Sequence, residues 1–114
     1  MPRRDWKLRA EDILQAIRTI ERHTQGMTLE GFSADDKTRD AVAPNLTVIG
    51  EAARHIPDDV LARYPEIPWA EVRAMRNALA HEYFRIALPI IWDTIRQDLQ
   101  PLAGILQRML EEQP

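Results

Sequence analysis

Residues 69–83 read WAEVRAMRNALAHEY, and this stretch decides how the second half of the chain folds. Val72, Met75 and Leu79 recur at the spacing of one helical face, which predicts a helix that begins near Trp69 and turns these residues toward the core. The polar residues of the stretch are displaced around the cylinder. They are therefore expected on one side of a helical bundle, beside its core.

Four polar side chains lie at the end of this stretch: Arg76, Asn77, His81 and Tyr83. At about 100° per residue, Asn77 and His81 would be one helical turn apart on the same face, with Arg76 to the side. Together they offer a fixed cation, an amide, an imidazole and a phenol. This pattern predicts a locally basic pocket that binds a phosphate. We call residues 76–83 the motif.

Three nearby positions have roles that the pattern leaves open. Arg73, one turn before the motif arginine, could bind phosphate or pair with Glu66 or Asp58. Gly50 is expected to permit a close approach between helices. Glu51 is either a surface acid or a partner for an arginine of the motif helix, and the structural role is favoured.

Length and composition limit the classes of protein to consider. The 114 residues suit one domain spanning residues 1–114. A formal charge of −3 and a pI near 5.6 argue against a protein that coats nucleic acid, so any RNA contact must be local. With no cysteine and three histidines, neither a disulfide, a metal site nor a cofactor is expected. No membrane-spanning run, signal peptide or lipidation pattern is apparent, which favours a cytoplasmic protein without a membrane partner.

The N-terminal half predicts two long helices. Apolar residues recur at helical spacing over residues 6–23, which indicates the first helix. At most one short turn is expected at residues 28–31. Ser33 is expected to start the second long helix, which would begin near Ala34. Pro44 inside that helix is expected to kink or break it.

The C-terminal half predicts a short helix followed by two longer ones. Residues 57–64 form the short helix, with a proline at its start and two acids in its first turn. The two prolines within residues 65–68 prevent a continuous helix there. The last helix is expected to open at Pro89 and run to the C terminus, with a kink at Pro101. No strand is predicted, so the fold class is all-α: an up-and-down bundle of about four main helices plus a short one.

The motif resembles the signature of the HepT-like branch of the HEPN superfamily. In that signature four to six residues separate an arginine, usually followed by asparagine, from a histidine, and a tyrosine stands two residues after the histidine. Further blocks occur in the order and approximate spacing of that family: Asp40-Ala41-Val42, Asn45-Leu46, Ile49 to Ala53, Ile67-Pro68-Trp69, Met75-Arg76-Asn77 and Tyr83-Phe84. The resemblance covers nearly the entire chain. Pro44 and Ala87 depart from the family pattern, and neither lies in the motif.

The resemblance implies an all-helical, homodimeric ribonuclease toxin of a type VII toxin–antitoxin system. Its cognate antitoxin would be a minimal nucleotidyltransferase that adds AMP to Tyr83. The resemblance also implies that RNA is the substrate, that cleavage needs no metal, and that Arg76 and His81 are catalytic. Asn77 would orient His81 or the phosphate, Tyr83 would position RNA, and Arg73 is a weaker candidate for the same task.

The proton chemistry is consistent with a dimer. One histidine cannot easily serve as both acid and base in one turnover, whereas two-fold symmetry would bring two copies of Arg76 and His81 into one cleft. Two alternatives remain. The chain could be a noncatalytic adaptor that binds nucleotide or RNA and presents Tyr83 to a nucleotidyltransferase, as the acidic charge balance favours. It could also be a helical dimer used only as a scaffold, which would leave the motif unexplained.

Other aromatic and histidine residues are expected to be structural. The three tryptophans and Tyr64 are interpreted as packing or interface residues rather than base-stacking platforms. His23 and His55 are expected near helix ends, where imidazoles favour the terminal carbonyls.

Overall fold

In the computed structural model, residues 5–79 and 87–112 are described, and side chains are described for 5–77 and 87–112; no strand occurs within these ranges. The α-helices are α1 (Asp5–Thr24), α2 (Leu29–Ala34), α3 (Asp36–Arg54), α4 (Asp58–Leu61), α5 (Trp69–Ala74), α6 (Leu88–Asp93) and α7 (Leu99–Glu112). A 3₁₀ helix (Met75–Leu79) continues α5, and a π-helical turn (Thr94–Asp98) joins α6 to α7. The predicted all-α bundle is confirmed.

The core lies between α1, α3 and the last helix. α1 packs chiefly on α3 and also on α7, while α5 and the 3₁₀ helix pack on α3. The predicted apolar face of α1 is confirmed, since Ile13, Ile17 and Ile20 are completely buried. Burial of this face supplies most of the stability of such a helix.

The aromatic residues pack as expected. Trp6, Tyr64 and Trp92 are buried. Trp69 is half-buried, and its indole Nε1 donates a hydrogen bond of 3.0 Å to the Tyr64 carbonyl oxygen. This bond fixes the start of α5 against the preceding loop. Residues 65–68 are non-helical, as the two prolines require.

The short helix α2 is longer than the single turn that the sequence predicts. Thr28 caps it, since its Oγ1 accepts a hydrogen bond of 3.0 Å from the Gly31 N–H. Phe32 explains why the helix forms. Its side chain is completely buried, and its ring centroid lies 5.1 Å from that of Trp92. This contact with a distant segment stabilises a helix too short to form alone.

The start of α3 differs from the prediction. Ser33 does not cap it and Ala34 does not begin it, because both belong to α2. Asp35 is the N-cap: its carboxylate accepts hydrogen bonds from the backbone N–H and from the hydroxyl of Thr38, at 3.0 and 2.9 Å. These bonds, that from the backbone first, hold the pKa of Asp35 below its ordinary value. The helix itself begins at Asp36.

Pro44 does not break α3, so of the two expected outcomes the break was wrong. The helix is continuous from Asp36 to Arg54. Pro44 is exposed, whereas Val42 and Leu46 on either side are buried in the core. The side-chain amide of Asn45 donates a hydrogen bond of 2.8 Å to the carbonyl oxygen of Ala41, one turn earlier in α3. Packing of the buried face offsets the one hydrogen bond that a proline removes.

The remaining helices follow the prediction with shifted ends. α4 begins after Pro57 as expected but ends at Leu61, before Tyr64. Pro89 lies in the first turn of α6. Pro101 lies in α7 and does not interrupt it, but a π-helical turn at Thr94–Asp98 precedes α7. Since a proline cannot donate to the carbonyl four residues earlier, a widened turn is the expected local response.

Candidate functional site

The motif begins where the 3₁₀ helix packs directly on α3. A Cβ built at Gly50 would lie 2.2 Å from the Arg76 backbone nitrogen and 2.9 Å from the Arg73 carbonyl oxygen. Any side chain at Gly50 would therefore collide with backbone. The predicted close approach of helices at Gly50 is confirmed. This contact sets the distance between the Arg76 backbone and α3.

The helix that carries the motif changes its geometry at Met75. α5 ends at Ala74, and residues Met75–Leu79 are 3₁₀-helical, with about 120° per residue. The predicted single α-helix was therefore wrong for Met75–Leu79, which includes Asn77. His81 and Tyr83, like the side chain of Leu79, lie outside the described residues.

Arg76 lies on the surface above α3 and faces a carboxylate. Its Nε is 3.5 Å from Oε2 of Glu51, and the two side chains are 47% and 48% exposed. Of the two roles that the sequence allowed for Glu51, the structure has it paired with the motif arginine. The described residues provide Arg76 with no further ion pair or side-chain hydrogen bond. With Glu51 as its one partner among the described residues, the guanidinium of Arg76 has N–H groups that can donate to an external anion.

Arg73 is turned into the protein rather than outward. Its guanidinium donates to the carbonyl oxygens of Ala53 and Ile56, at 3.2 and 3.1 Å, and to Asp58 Oδ1 at 2.9 Å. The Asp58 partner is one of the two that the sequence left open. Since the last carbonyls of a helix have no partner within it, Arg73 closes the C-terminal end of α3 and ties α5 to it.

The end of α3 forms a polar cleft beside Arg76. Arg54, His55, Asp58 and Arg73 line it together with Ile56 and Pro57. His55 lies at the helix end as predicted, and its Nε2 is 3.3 Å from Oε1 of Glu51. Three arginines, Arg54, Arg73 and Arg76, thus gather at one end of the bundle with two carboxylates, Asp58 and Glu51. The balance of these charges is positive although the whole chain is acidic, and a positive balance favours a phosphate.

Asn77 borders a second feature that the sequence did not predict. It is exposed and lies at the rim of an apolar groove between α5 and the last helix. The groove has Leu46 and Val72 on one side and Ile91 and Leu102 on the other. Its walls come from three separate segments, so no local sequence pattern could have indicated it.

The described residues form a small all-α bundle in which an exposed arginine, Arg76, lies where the 3₁₀ helix packs on α3. A family model described as Ribonuclease HepT-like matches residues 13–109. The chain belongs to the ribonuclease HepT-like family, which confirms the resemblance to HepT-like proteins of the HEPN superfamily.

Individual relatives agree with the family. A protein of Thermococcus cleftensis named "Probable ribonuclease HepT" is 40% identical over 99 residues, covering 87% of this chain and 90% of that protein. A candidate RNase of Methanocaldococcus jannaschii is 40% identical over 95 residues, or 83% and 78% of the two chains. A candidate RNase of Caldanaerobacter subterraneus is 31% identical over 103 residues, or 90% and 92%. No solved structure matches significantly. Within the described residues, no helix is both long and apolar enough to cross a membrane.

Proposed function

We propose that this protein is the toxin of a type VII toxin–antitoxin system, a metal-independent endoribonuclease that acts as a homodimer. The observation that carries the proposal is Arg76: the Gly50 contact fixes its backbone, and its terminal nitrogens have no described partner. Membership of the ribonuclease HepT-like family supports the activity.

In the proposed reaction, the 2′-hydroxyl of a ribose attacks the adjacent phosphorus and the 5′-oxygen of the next nucleotide leaves. The His81 imidazole of one protomer takes the proton from the hydroxyl, and that of the second protomer protonates the leaving oxygen. Arg76 stabilises the charge that develops on the phosphorane-like transition state. The products are a 2′,3′-cyclic phosphate and a 5′-hydroxyl, so the step needs no co-reactant.

Other motif residues have supporting roles in this proposal. Asn77 orients His81 or the phosphate, and Tyr83 positions the RNA. Arg73 orients the motif instead of binding RNA, because three described acceptors already occupy its guanidinium. Its role is to hold α5 on α3.

Regulation would act on Tyr83. A cognate minimal nucleotidyltransferase would add AMP to its hydroxyl, which places a nucleotide and at least one phosphate charge beside His81. The adduct would fill the cleft in which the two copies of Arg76 and His81 face one another, and it would repel the RNA backbone without unfolding the protein.

The main test compares cleavage of RNA by the wild type, Arg76→Ala and His81→Ala in the presence of a metal chelator. Arg18→Ala is the matched control, because it removes one exposed arginine from α1, away from the motif. Chelator-resistant cleavage that is lost in both motif variants and kept in Arg18→Ala supports the enzyme. Cleavage that persists in Arg76→Ala would refute the mechanism.

The cleavage assay of the wild type, together with Tyr83→Phe, tests the adaptor alternative, which the acidic charge of the chain favours. An adaptor would accept AMP on Tyr83 but cleave no RNA under any condition. Incubation with the nucleotidyltransferase and ATP should add the mass of one or more AMP units to wild type and none to Tyr83→Phe. Mass added at Tyr64 instead would contradict the assignment, and its burial makes it a poor acceptor.

A further inference from the structure

The carboxylate of Glu51 contacts two basic side chains, one with each oxygen. Oε2 lies 3.5 Å from Nε of Arg76, and Oε1 lies 3.3 Å from Nε2 of His55. His55 follows Glu51 by one helical turn, so its contact is local, whereas Arg76 belongs to a different element. A single carboxylate therefore joins the end of α3 to the motif.

The backbones beneath this pair are fixed. Gly50, the neighbour of Glu51, packs against the backbone nitrogen and Cα of Arg76. Ala52 and Ala53, which follow Glu51, are buried in the core. Since neither backbone can shift freely, the conformation of the Arg76 side chain is set by its own torsions and by what its guanidinium contacts.

The contact uses only one edge of the guanidinium. Arginine has five N–H donors, and one of them is on Nε, the atom that faces Glu51. Among the described residues only Glu51 pairs with Arg76, and the terminal edge of a guanidinium can donate two parallel hydrogen bonds to a phosphate. Glu51 thus pairs with Nε of Arg76, which is not part of the terminal edge that would bind a phosphate.

The pair contributes little to the stability of the fold. Both side chains are about half exposed, and ion pairs of this exposure are weak because water screens them. The consequence of removing Glu51 is therefore expected in the orientation of Arg76 rather than in folding.

We propose that Glu51 is a positioning residue for Arg76: its carboxylate, steadied by His55 on the other oxygen, holds the guanidinium by Nε and leaves the terminal nitrogens for the phosphate. The inference rests on the proposed function, because positioning of Arg76 matters for catalysis only if Arg76 acts on RNA. A glutamine can still accept one hydrogen bond from Nε, whereas an alanine cannot. The order of activity should be wild type, then Glu51→Gln, then Glu51→Ala.

The test is steady-state cleavage of a short RNA oligonucleotide with chelator present. Glu51→Ala should lower kcat about tenfold, with KM changed by less than about twofold, because the loss falls on transition-state alignment. Glu51→Gln should recover part of kcat. Glu112→Ala is the control: its side chain is 51% exposed, pairs with Arg108 at 3.7 Å and accepts a hydrogen bond of 3.1 Å from the Tyr64 hydroxyl, and neither partner belongs to the motif. It should keep wild-type kcat.

A wild-type kcat in Glu51→Ala, measured beside an inactive Arg76→Ala, overturns the inference and leaves the proposed function standing. Equal losses in Glu51→Ala and Glu112→Ala also overturn it, since they indicate a general effect of removing surface charge. If the wild type cleaves no RNA, the proposed function fails.

A readout independent of activity then decides the inference. The Nε–Hε resonance of Arg76, assigned by its absence in Arg76→Lys, should be shifted from the exposed arginines in wild type and merge with them in Glu51→Ala. An unchanged resonance contradicts the positioning role.

Discussion

The Gly50 contact yields the most quantitative prediction. In Gly50→Ala, the new Cβ would meet the Arg76 backbone nitrogen at 2.2 Å, whereas ordinary contact begins at 3.4 Å. The 3₁₀ helix must therefore retreat from α3 by about 1.2 Å, the difference between the two distances. Backbone cannot rotate away as a flexible side chain can, so the cost should fall at the upper end of overpacking, about 2–3 kcal/mol.

A second glycine provides the matched control. Gly104 lies inside α7, and a Cβ built there would meet nothing within 4 Å. Gly104→Ala should stabilise the protein by about 0.5–1 kcal/mol, because alanine loses less backbone entropy than glycine in a helix. The same propensity gain applies at Gly50, so the difference between the two variants isolates the collision.

The measurement is equilibrium unfolding in urea, followed by circular dichroism at one fixed protein concentration, since any self-association would shift the midpoint. Gly50→Ala should unfold at lower urea and Gly104→Ala at equal or higher urea than wild type. Gly50→Ala should also lose RNA cleavage, because the retreat displaces Arg76. Equal stabilities for the two variants would refute the close contact between α3 and the motif.

Three further predictions concern the supports of the site. Arg73→Ala should destabilise the fold by about 1–3 kcal/mol, because it leaves the Ile56 carbonyl without its described donor and removes one of the donors to the Ala53 carbonyl. Asp58→Ala, which removes only the 89%-exposed partner, should cost less than about 1 kcal/mol in the same urea assay. Equal costs would contradict the capping role. Phe32→Ala should cost about 3–5 kcal/mol, since the ring is completely buried; a near-wild-type midpoint would show that α2 is not part of the core. The pKa of the Asp35 carboxylate is lowered in the folded state, so its contribution to stability is fully present at a pH above the ordinary pKa of 3.8 and is lost as the pH falls through the lowered pKa. The loss of stability in Asp35→Ala should therefore be present at neutral pH and shrink in strong acid. A loss that stays constant with pH would contradict the charged cap.

The parts of the fold that could be predicted are those that local pattern determines. The period of apolar residues in α1 is set by burial of one face, so it is visible without the structure. Gly50 was recognisable because a glycine inside a helix costs backbone entropy on folding, and a close approach of another backbone is a reason for its presence there. Pro57 and Pro89 marked helix starts correctly, since a proline needs no N–H there.

The parts that could not be predicted depend on distant contacts. Ser33 and Asp35 are both good caps by residue type, and the burial of Phe32 against Trp92 decides between them by holding Ser33 inside α2. Pro44 has the same penalty in any helix, but only packing shows that α3 can bear it. The 3₁₀ geometry at Arg76 likewise follows from contact with α3, which composition does not reveal.

The sequence allows a set of site residues to be proposed, but not how they are arranged. The pairing of Arg76 with Glu51 was one of two open alternatives, because sequence separation gives no distance. The contacts of the Arg73 side chain with Ala53 and Ile56 were also not predictable, because the acceptors are backbone carbonyl oxygens, which no residue type indicates. The identity of a side chain indicates what chemistry it can do, and the packing determines which partner it meets.

The measurement that tests the central proposal most directly is the chemistry of the RNA ends made by purified wild type, Arg76→Ala and His81→Ala in chelator. The proposed reaction predicts 2′,3′-cyclic phosphate and 5′-hydroxyl ends from wild type, and neither product from the two variants. Ends bearing a 5′-phosphate, or cyclic phosphate produced equally by Arg76→Ala, would contradict it.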